Sequence, residues 1–590
     1  MKQVETAGSI RPLPTCAIWL YGLLGAAATL LIGGRCIQRV LHGELVNPDS
    51  YMRLVRIEAM LPMHRGVDIV ARDGSGAGTL LHWSHLLDSL IVALASPLSL
   101  ALGPHDALRW AAAALGPLSM GALGAAIAWA AAPFAIRRWL WLGPVLAAVS
   151  PAIASYGLPG EAHHHVLLVL VATVIAGWNA RMLTGRVPTT AGWSLGAWAG
   201  LGIWLSPEAM PFVLMGFLAL WLGWVMQPQR TYLAGGVANT GLAFLLVTGA
   251  AFAVDPSPAG YGAVEIDRLS IIYVVLAVLC CGVGLSAVVI ERLRLMGAAR
   301  PALAIAIASA CGAVWFSLYP AVLRGPAGLM DGGSAAAFFG GIDEMQPVRS
   351  LGEAVQYLLG GAVAASALGW FAWRGRSWLM LYVTGCAIVL LLLGATHERF
   401  AAYAAAAASL LLPVMVTRIE QAQTTWPPVL PAAARLGVVA LCLLATRADG
   451  LTSTASARET DTADCSVSHL AGMLRPFASQ VVLADANDTP ELLYRTGILT
   501  AGSLYHRNVA GFLRLRAAWR SLPSATEPAA VRATGAVAVL ACRHKARSAL
   551  VADLPPDTLL DRLARGETPP WLTEVAADPA SGNVLYRVAR

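Results

Sequence analysis

Four short polar constellations interrupt an otherwise apolar chain, and each has residue types that could hold a cation or a phosphate. The first is Asn47-Pro48-Asp49-Ser50-Tyr51-Met52-Arg53-Leu54-Val55-Arg56. Asn47 can cap a helix, Pro48 can take its first position, and Asp49 complements the positive end of the helix dipole. The same carboxylate, among cationic neighbours near a membrane surface, also suits a metal or phosphate site. The second is Pro159-Gly160-Glu161-Ala162-His163-His164-His165. An acid and an imidazole two residues apart reach one cation where the backbone is extended or turning. Snorkelling of the histidines to the interface is the competing reading, and within the run Glu161 and His163 are the favoured ligands.

The third constellation, Gly341-Ile342-Asp343-Glu344-Met345-Gln346-Pro347, follows a glycine-rich stretch with Gly332, Gly333 and Gly340. A carboxylate on such a loop can complete a site when substrate binds, although a solvated acidic loop would look the same. The fourth, Thr396-His397-Glu398-Arg399-Phe400, puts Arg399 at the head of an apolar helix. Arginines there commonly snorkel, yet a planar, permanently charged fork also matches a pyrophosphate.

The elements that must position these residues are membrane helices. The 590 residues are 57% hydrophobic and only 13% charged, with a mean hydropathy of +0.63, a balance that a soluble chain of this length cannot keep dissolved. The net charge of +7 comes from arginines in short clusters between apolar runs, which suits orientation in a membrane and excludes a nucleic-acid partner. Lys2 and Arg11 precede an apolar run from Thr15 to Gly34 that reads as a first transmembrane helix rather than a cleaved leader. Further candidates begin near Ala107, Trp139, Val166, Gly192, Pro211, Tyr232, Ile271, Ala302, Gly352, Trp378, Phe400 and Val429, which predicts about thirteen spans.

The run from His85 to Gly103 is read as a loop helix or re-entrant segment. Counting it as a span would move Arg137 and Arg138 to the opposite side from the later arginines. With it set aside, Arg137 and Arg138, Arg181 and Arg186, Arg230, Arg292, Arg294 and Arg300, Arg374 and Arg376, and Arg418 share one side. The N-terminus is then cytoplasmic, the long outer loops are 35–106 and 323–351, and all four constellations face outward. A transmembrane unit of residues 1–446 precedes a soluble α/β domain of residues 447–590 on the periplasmic side.

In that tail, Val481 to Ala484 and Ala536 to Ala541 read as buried strands and Thr489 to Thr496 as a helix. Trp571 to Ala577 and Val584 to Val588 read as a hairpin around Asp578 to Asn583. The nine cysteines show no C-x-x-C and no zinc-type Cys/His spacing. Cys465 and Cys542 alone share the tail, and either pair in an oxidising compartment or remain two thiols.

In this order, the four constellations resemble the catalytic subunit of oligosaccharyltransferase, a family of large GT-C type glycosyltransferases. The resemblance covers nearly the whole chain, since that family has the same span count, long first and fifth outer loops and an outer C-terminal domain. Asp49 matches the acid of the family's first short motif, with Tyr51 and Arg53 following much as they do there. Glu161-Ala162-His163 matches the second motif, acid-x-acid or acid-x-His, with an opening glutamate as a departure. Asp343-Glu344-Met345-Gln346-Pro347 is similar to the family's Ser-Glu-His-Gln-Pro segment, which makes Glu344 the loop carboxylate. Arg399 matches the arginine that meets the donor pyrophosphate. The tail departs further: where the family carries Trp-Trp-Asp, which reads the acceptor sequon, this chain has Ala484-Asp485-Ala486-Asn487-Asp488. Leu504-Tyr505-His506-Arg507-Asn508 is a dense polar cluster beyond it.

The resemblance implies a metal-dependent glycosyltransferase of the bacterial inner membrane. It would move a sugar or oligosaccharide from a polyprenyl-(pyro)phosphate donor to a protein, lipid or glycan acceptor on the outer face. Asp49, Glu161, His163 and Glu344 would hold Mg²⁺ or Mn²⁺, with Zn²⁺ left open by the imidazole. Asp49 and Glu344 would polarise the acceptor and Arg399 would neutralise the leaving group. Arg53, His164, Tyr505, His506, Arg507 and Asn508 are candidate contacts to donor or acceptor. No P-loop or strand-to-helix G-x-G-x-x-G is found, which counts against a nucleotide-sugar donor. The rival class, a transporter or flippase, would show repeated halves with polar residues at the midplane, whereas here they gather at one surface.

Overall fold

The computed structural model describes residues 13–227, 229–295, 297–422, 429–447, 465–543, 551 and 553–589. The basic residues Lys2 and Arg11 lie outside them. Among the described residues, nine helices are long and apolar enough to cross a membrane, from Pro104–Ala131 to Glu398–Gln421. A tenth is counted if Cys16–Ile32 and Gly34–Leu41, bent by 77°, form one span.

The remaining expected spans are helical but short. Trp139 begins a pair of helices, Leu142–Val149 and Pro151–Ala154, broken where Pro151 lacks an N–H and starts a new turn. The helix Ala191–Leu205 stops after 15 residues at Ser206-Pro207, and Val429–Ala445 has 17. The run set aside in the sequence forms the 17-residue helix Leu86–Leu102. It turns at Gly103, where φ is 77°, into the 28-residue helix Pro104–Ala131.

Within the first long loop, β1 (Ile69–Val70) and β2 (Thr79–Leu80) form a small antiparallel hairpin. The C-terminal sheet domain has five strands in the order β4-β3-β5-β7-β6. β3 (Val481–Leu483) runs parallel to β4 (Leu499–Thr500) and β5 (Ala538–Cys542). β6 (Leu572–Asp578) and β7 (Asn583–Val588) make the expected hairpin, and β7 pairs antiparallel with β5. β5 is buried along its whole length, as a central strand covered on both faces must be. Cys465 and Cys542 form a disulfide.

Two of the loops that join this domain to the membrane helices reach into it. Asp73, fully buried, accepts hydrogen bonds from the hydroxyls of Thr79, Thr500 and Ser503. Arg72 donates to the carbonyls of Leu493, Thr496 and Ile498. From the other loop, the short helix Gly332–Phe339 inserts Phe338 into the core of the sheet domain, edge-on to Phe512 at 5.2 Å.

Candidate functional site

The helix Pro48–Met63 begins as its sequence demands: Asn47 Oδ1 accepts the Asp49 N–H at 2.8 Å and Pro48 follows the cap. Capping leaves the Asp49 carboxylate free to reach outward. Its Oδ2 lies 3.0 Å from His163 Nε2, and its Oδ1 accepts the Tyr505 hydroxyl at 2.8 Å. Ser50 fixes the opposing loop, donating to the Gly160 carbonyl at 3.1 Å and accepting the Ala162 N–H at 2.8 Å. Two glycines permit that approach. Gly160 has φ 92°, and a Cβ at Gly116 would stand 2.5 Å from the Leu158 carbonyl oxygen. The turn that aims Glu161 and His163 at Asp49 depends on both.

The electrostatics of the pair are opposed. Burial, then the charge of Asp49, pushes the Glu161 carboxyl up to about 8. Burial also works against ionisation of Asp49, but the hydrogen bond and charge of His163, then the Tyr505 hydroxyl, hold it below the usual range. Glu161 Oε2, His163 Nδ1 and His164 Nδ1 are buried without hydrogen-bond partners among the described residues. The imidazoles of His163, His164 and His165 each offer a ligand atom within 4.8 Å of the others, with ring centroids 4.2 to 4.8 Å apart. The three imidazoles of the run therefore lie together in one cluster. Burial and the charge of His163 hold the His164 imidazole well below its ordinary value.

Glu344 and Arg399 form the adjoining half. Glu344 Oε2 accepts the Tyr156 hydroxyl at 2.6 Å, and its Oε1 is 3.7 Å from Arg399 Nη2. The same Nη2 is 2.7 Å from His165 Nε2 and 3.2 Å from Glu208 Oε1. The Tyr156 ring lies 5.5 Å from that of His163 and 4.6 Å from that of His165, joining the halves. Glu344, expected beside Asp49, therefore has Tyr156 and Arg399 as its polar partners. Tyr156, His165 and Glu208 were not singled out from the sequence. The signal available was sidedness: Glu208 stands in a short loop on the same side as the four constellations.

The other candidate contacts divide. Arg53 is buried, pairs with Asp88 at 3.0 Å and lies 4.3 Å over the Trp83 ring, while Arg56 shares Asp88. Arg53 is thus a charged brace under Asp49. In the tail cluster, Tyr505 reaches Asp49. His506 Nε2 meets Asp267 Oδ2 at 2.6 Å, and Arg507 grips Asp267 and Glu265. Asn508 caps the helix Val509–Trp519 and donates to Thr79. At the place of the missing tryptophans, Ala484 and Ala486 are buried, and the interior Trp519 indole donates to the Ala484 carbonyl at 3.1 Å.

Many membrane helices ending in one polar, acid- and histidine-rich cluster, covered by a C-terminal sheet domain, make a polytopic membrane protein, and its likeness to solved oligosaccharyltransferase structures gives it the GT-C fold. By sequence, neither a protein-family model nor a curated protein matches the chain. By structure, it is similar to the oligosaccharyltransferase of Archaeoglobus fulgidus in the apo form, with a TM-score of 0.68 at 12% identity over 100% of this chain and 75% of that one. The same enzyme in complex with Zn and sulfate gives 0.66 at 12% identity over 97% and 73%. The archaeal oligosaccharyltransferase AglB from that organism, with an inhibitory peptide and a dolichol-phosphate, gives 0.66 at 12% identity over 90% and 69%.

Proposed function

We propose that the chain is a glycosyltransferase that moves a sugar or oligosaccharide from a polyprenyl-(pyro)phosphate donor to an acceptor at the outer face of a bacterial inner membrane. Residues 1–446 would form the catalytic membrane unit, with about thirteen spans, and residues 447–590 a periplasmic domain. The observation that carries this reading is the convergence of Asp49, Glu161 and His163 with Arg399 and Glu344 at one end of a GT-C fold. The neighbours holding a dolichol-phosphate and Zn support it.

The donor set fits a divalent cation. Two carboxylates whose proton affinities are driven apart, with unpartnered buried Glu161 Oε2 and imidazole nitrogens, are suited to metal ligation. Asp49, Glu161 and His163 would hold it, with Glu344 completing the set when its loop closes over substrate. The imidazole content moves the preference toward Zn²⁺ or Mn²⁺ over Mg²⁺. Bound there, the ion would supply Lewis acidity toward the leaving phosphate.

The protein's own groups do the rest. Asp49, kept ionised by His163 and Tyr505, can accept a hydrogen bond from the acceptor nucleophile. Arg399 presents its fork to the donor phosphates, and Glu208 with Glu344 holds that fork in place. Transfer assayed with purified protein, a polyprenyl-linked donor and added metal tests the reading. Asp49→Ala or Glu344→Ala should abolish transfer in a folded protein, and full activity in either ends the assignment.

A second acceptor reading has its own observation. The Ala484 to Asp488 turn, buried from Ala484 to Ala486 and exposed at Asn487, offers no tryptophan to read a sequon, which favours a lipid or glycan acceptor. Mass spectrometry of glycoproteins and glycolipids from a deletion strain separates the two, since loss of a glycolipid alone rejects a protein acceptor.

A further inference from the structure

Metal-binding side chains converge at a second place. His82 follows β2, Asp267 lies in the 255–270 segment, and His506 precedes the helix Val509–Trp519. Each offers a ligand atom within 4.8 Å of the other two. The two imidazole rings are 4.3 Å apart and tilted by 53°. His506 Nε2 is 2.6 Å from Asp267 Oδ2. His82 Nδ1 is buried and has no hydrogen-bond partner among the described residues, an orphaned nitrogen that needs an explanation.

The surroundings suit a cation. Arg507 holds the Asp267 carboxylate through Nε and Nη2 at 2.8 and 2.6 Å, fixing its plane as outer partners do for metal-ligating carboxylates. Asp267 and Glu265 together outweigh Arg507 by one negative charge, and Arg268 is engaged by Asp68 and Asp255. Beside the cluster, a cavity lined by His82, Trp83, His164, Asp267 and Arg268 has room for a water-sized occupant.

We propose that His82, Asp267 and His506 bind a second divalent cation, separate from the one at Asp49, with Zn²⁺ the best match. Two imidazoles and one carboxylate form a zinc-type donor set, and the adjoining cavity admits a water as fourth ligand. On binding, neutral His506 carries its single ring proton on Nδ1, leaving the Nε2 lone pair free to ligate, and the His506 to Asp267 hydrogen bond is replaced by one metal bond to each residue. The three ligands come from the first loop, the 255–270 segment and the sheet domain, so the ion locks that domain over the Asp49 group. This inference does not depend on the proposed transfer reaction.

The test is zinc stoichiometry. Full-length protein is stripped with chelator, reloaded with Zn²⁺, desalted and analysed for metal by mass spectrometry, beside His506→Gln, His82→Asn and Asp49→Asn. Glutamine at 506 can still donate to Asp267, so the hydrogen bond survives while the ligand is lost. His506→Gln and His82→Asn should each hold one equivalent fewer than the parent protein. Unchanged zinc in either variant overturns the proposal, and if one variant is not monodisperse the other decides. Full zinc in Asp49→Asn is a separate outcome that counts against the Asp49 site alone.

Discussion

Tyr505→Phe removes one oxygen atom and leaves the rest of its surroundings in place. The ring is 4% exposed and packs edge-on against Trp83 at 5.3 Å, so phenylalanine fills the same space. What disappears is the hydroxyl that donates to Asp49 Oδ1 at 2.8 Å. A hydrogen bond to a charged group contributes about 1.5 to 3 kcal/mol. At about 1.4 kcal/mol per decade this predicts a ten- to hundredfold loss of kcat/KM. The donor KM should change little, because the lost contact is at the reacting centre. The sign of the pH effect follows from the same bond. Tyr505 helps to hold the Asp49 carboxyl low, so its loss raises that value and moves the acid limb of the rate profile to higher pH. Steady-state transfer assays from pH 4 to 8, with circular dichroism as the folding control, read both effects. Activity within threefold of the parent with an unmoved acid limb would refute the role given to this bond.

Three further outcomes are expected. Glu161 is raised from 4.5 to about 8 in the folded chain; this carboxyl alone should therefore weaken the metal-free fold by about 1.4 kcal/mol per unit as the pH rises from 4.5 toward 8. Glu161→Gln should flatten that slope in thermal melts of chelator-treated protein, and an unchanged slope speaks against the buried carboxyl. Phe338→Ala, at a cost of about 3 to 5 kcal/mol of local packing, should free the helix Gly332–Phe339 from the sheet domain. Faster proteolysis within 320–345 and a lower kcat would follow, and equal rates of both would break the link between Phe338 and Glu344. Cys465→Ala opens a covalent loop with a sequence separation of 77, which predicts a loss of about 4.5 kcal/mol for the sheet domain. A urea midpoint unchanged from the parent would contradict it.

The pairing of Asp49 with His163 was legible because each sits in a short, unusual segment whose local chemistry demands an explanation. The strands of the tail were legible too, since Val481 to Leu483 and Ala538 to Cys542 are continuous apolar runs bounded by turn residues. Long-range partnerships were not. Arg53 reads as a candidate contact to donor or acceptor, and its pairing with Asp88, 35 residues later, is not visible in the sequence. Glu344 reads as a loop carboxylate that completes the Asp49 group when substrate binds, and the partners it has meanwhile, Tyr156 and Arg399, are tertiary contacts that no spacing reveals. Two expected spans are shorter than their apolar runs for local reasons: Pro151 breaks one into two short helices, and the helix before Ser206-Pro207 stops after 15 residues.

Tyr505 lies 456 positions after the carboxylate that it meets. The two ends of that bond therefore leave the ribosome at very different times. Asp49 emerges early, and its partner arrives only after every intervening helix has been inserted and the sheet domain has folded. Until then the Asp49 group lacks a hydrogen bond and a wall. An unfinished or misinserted chain cannot assemble the cluster, so competence at this site is a late event in biosynthesis and reports that the whole chain has been built.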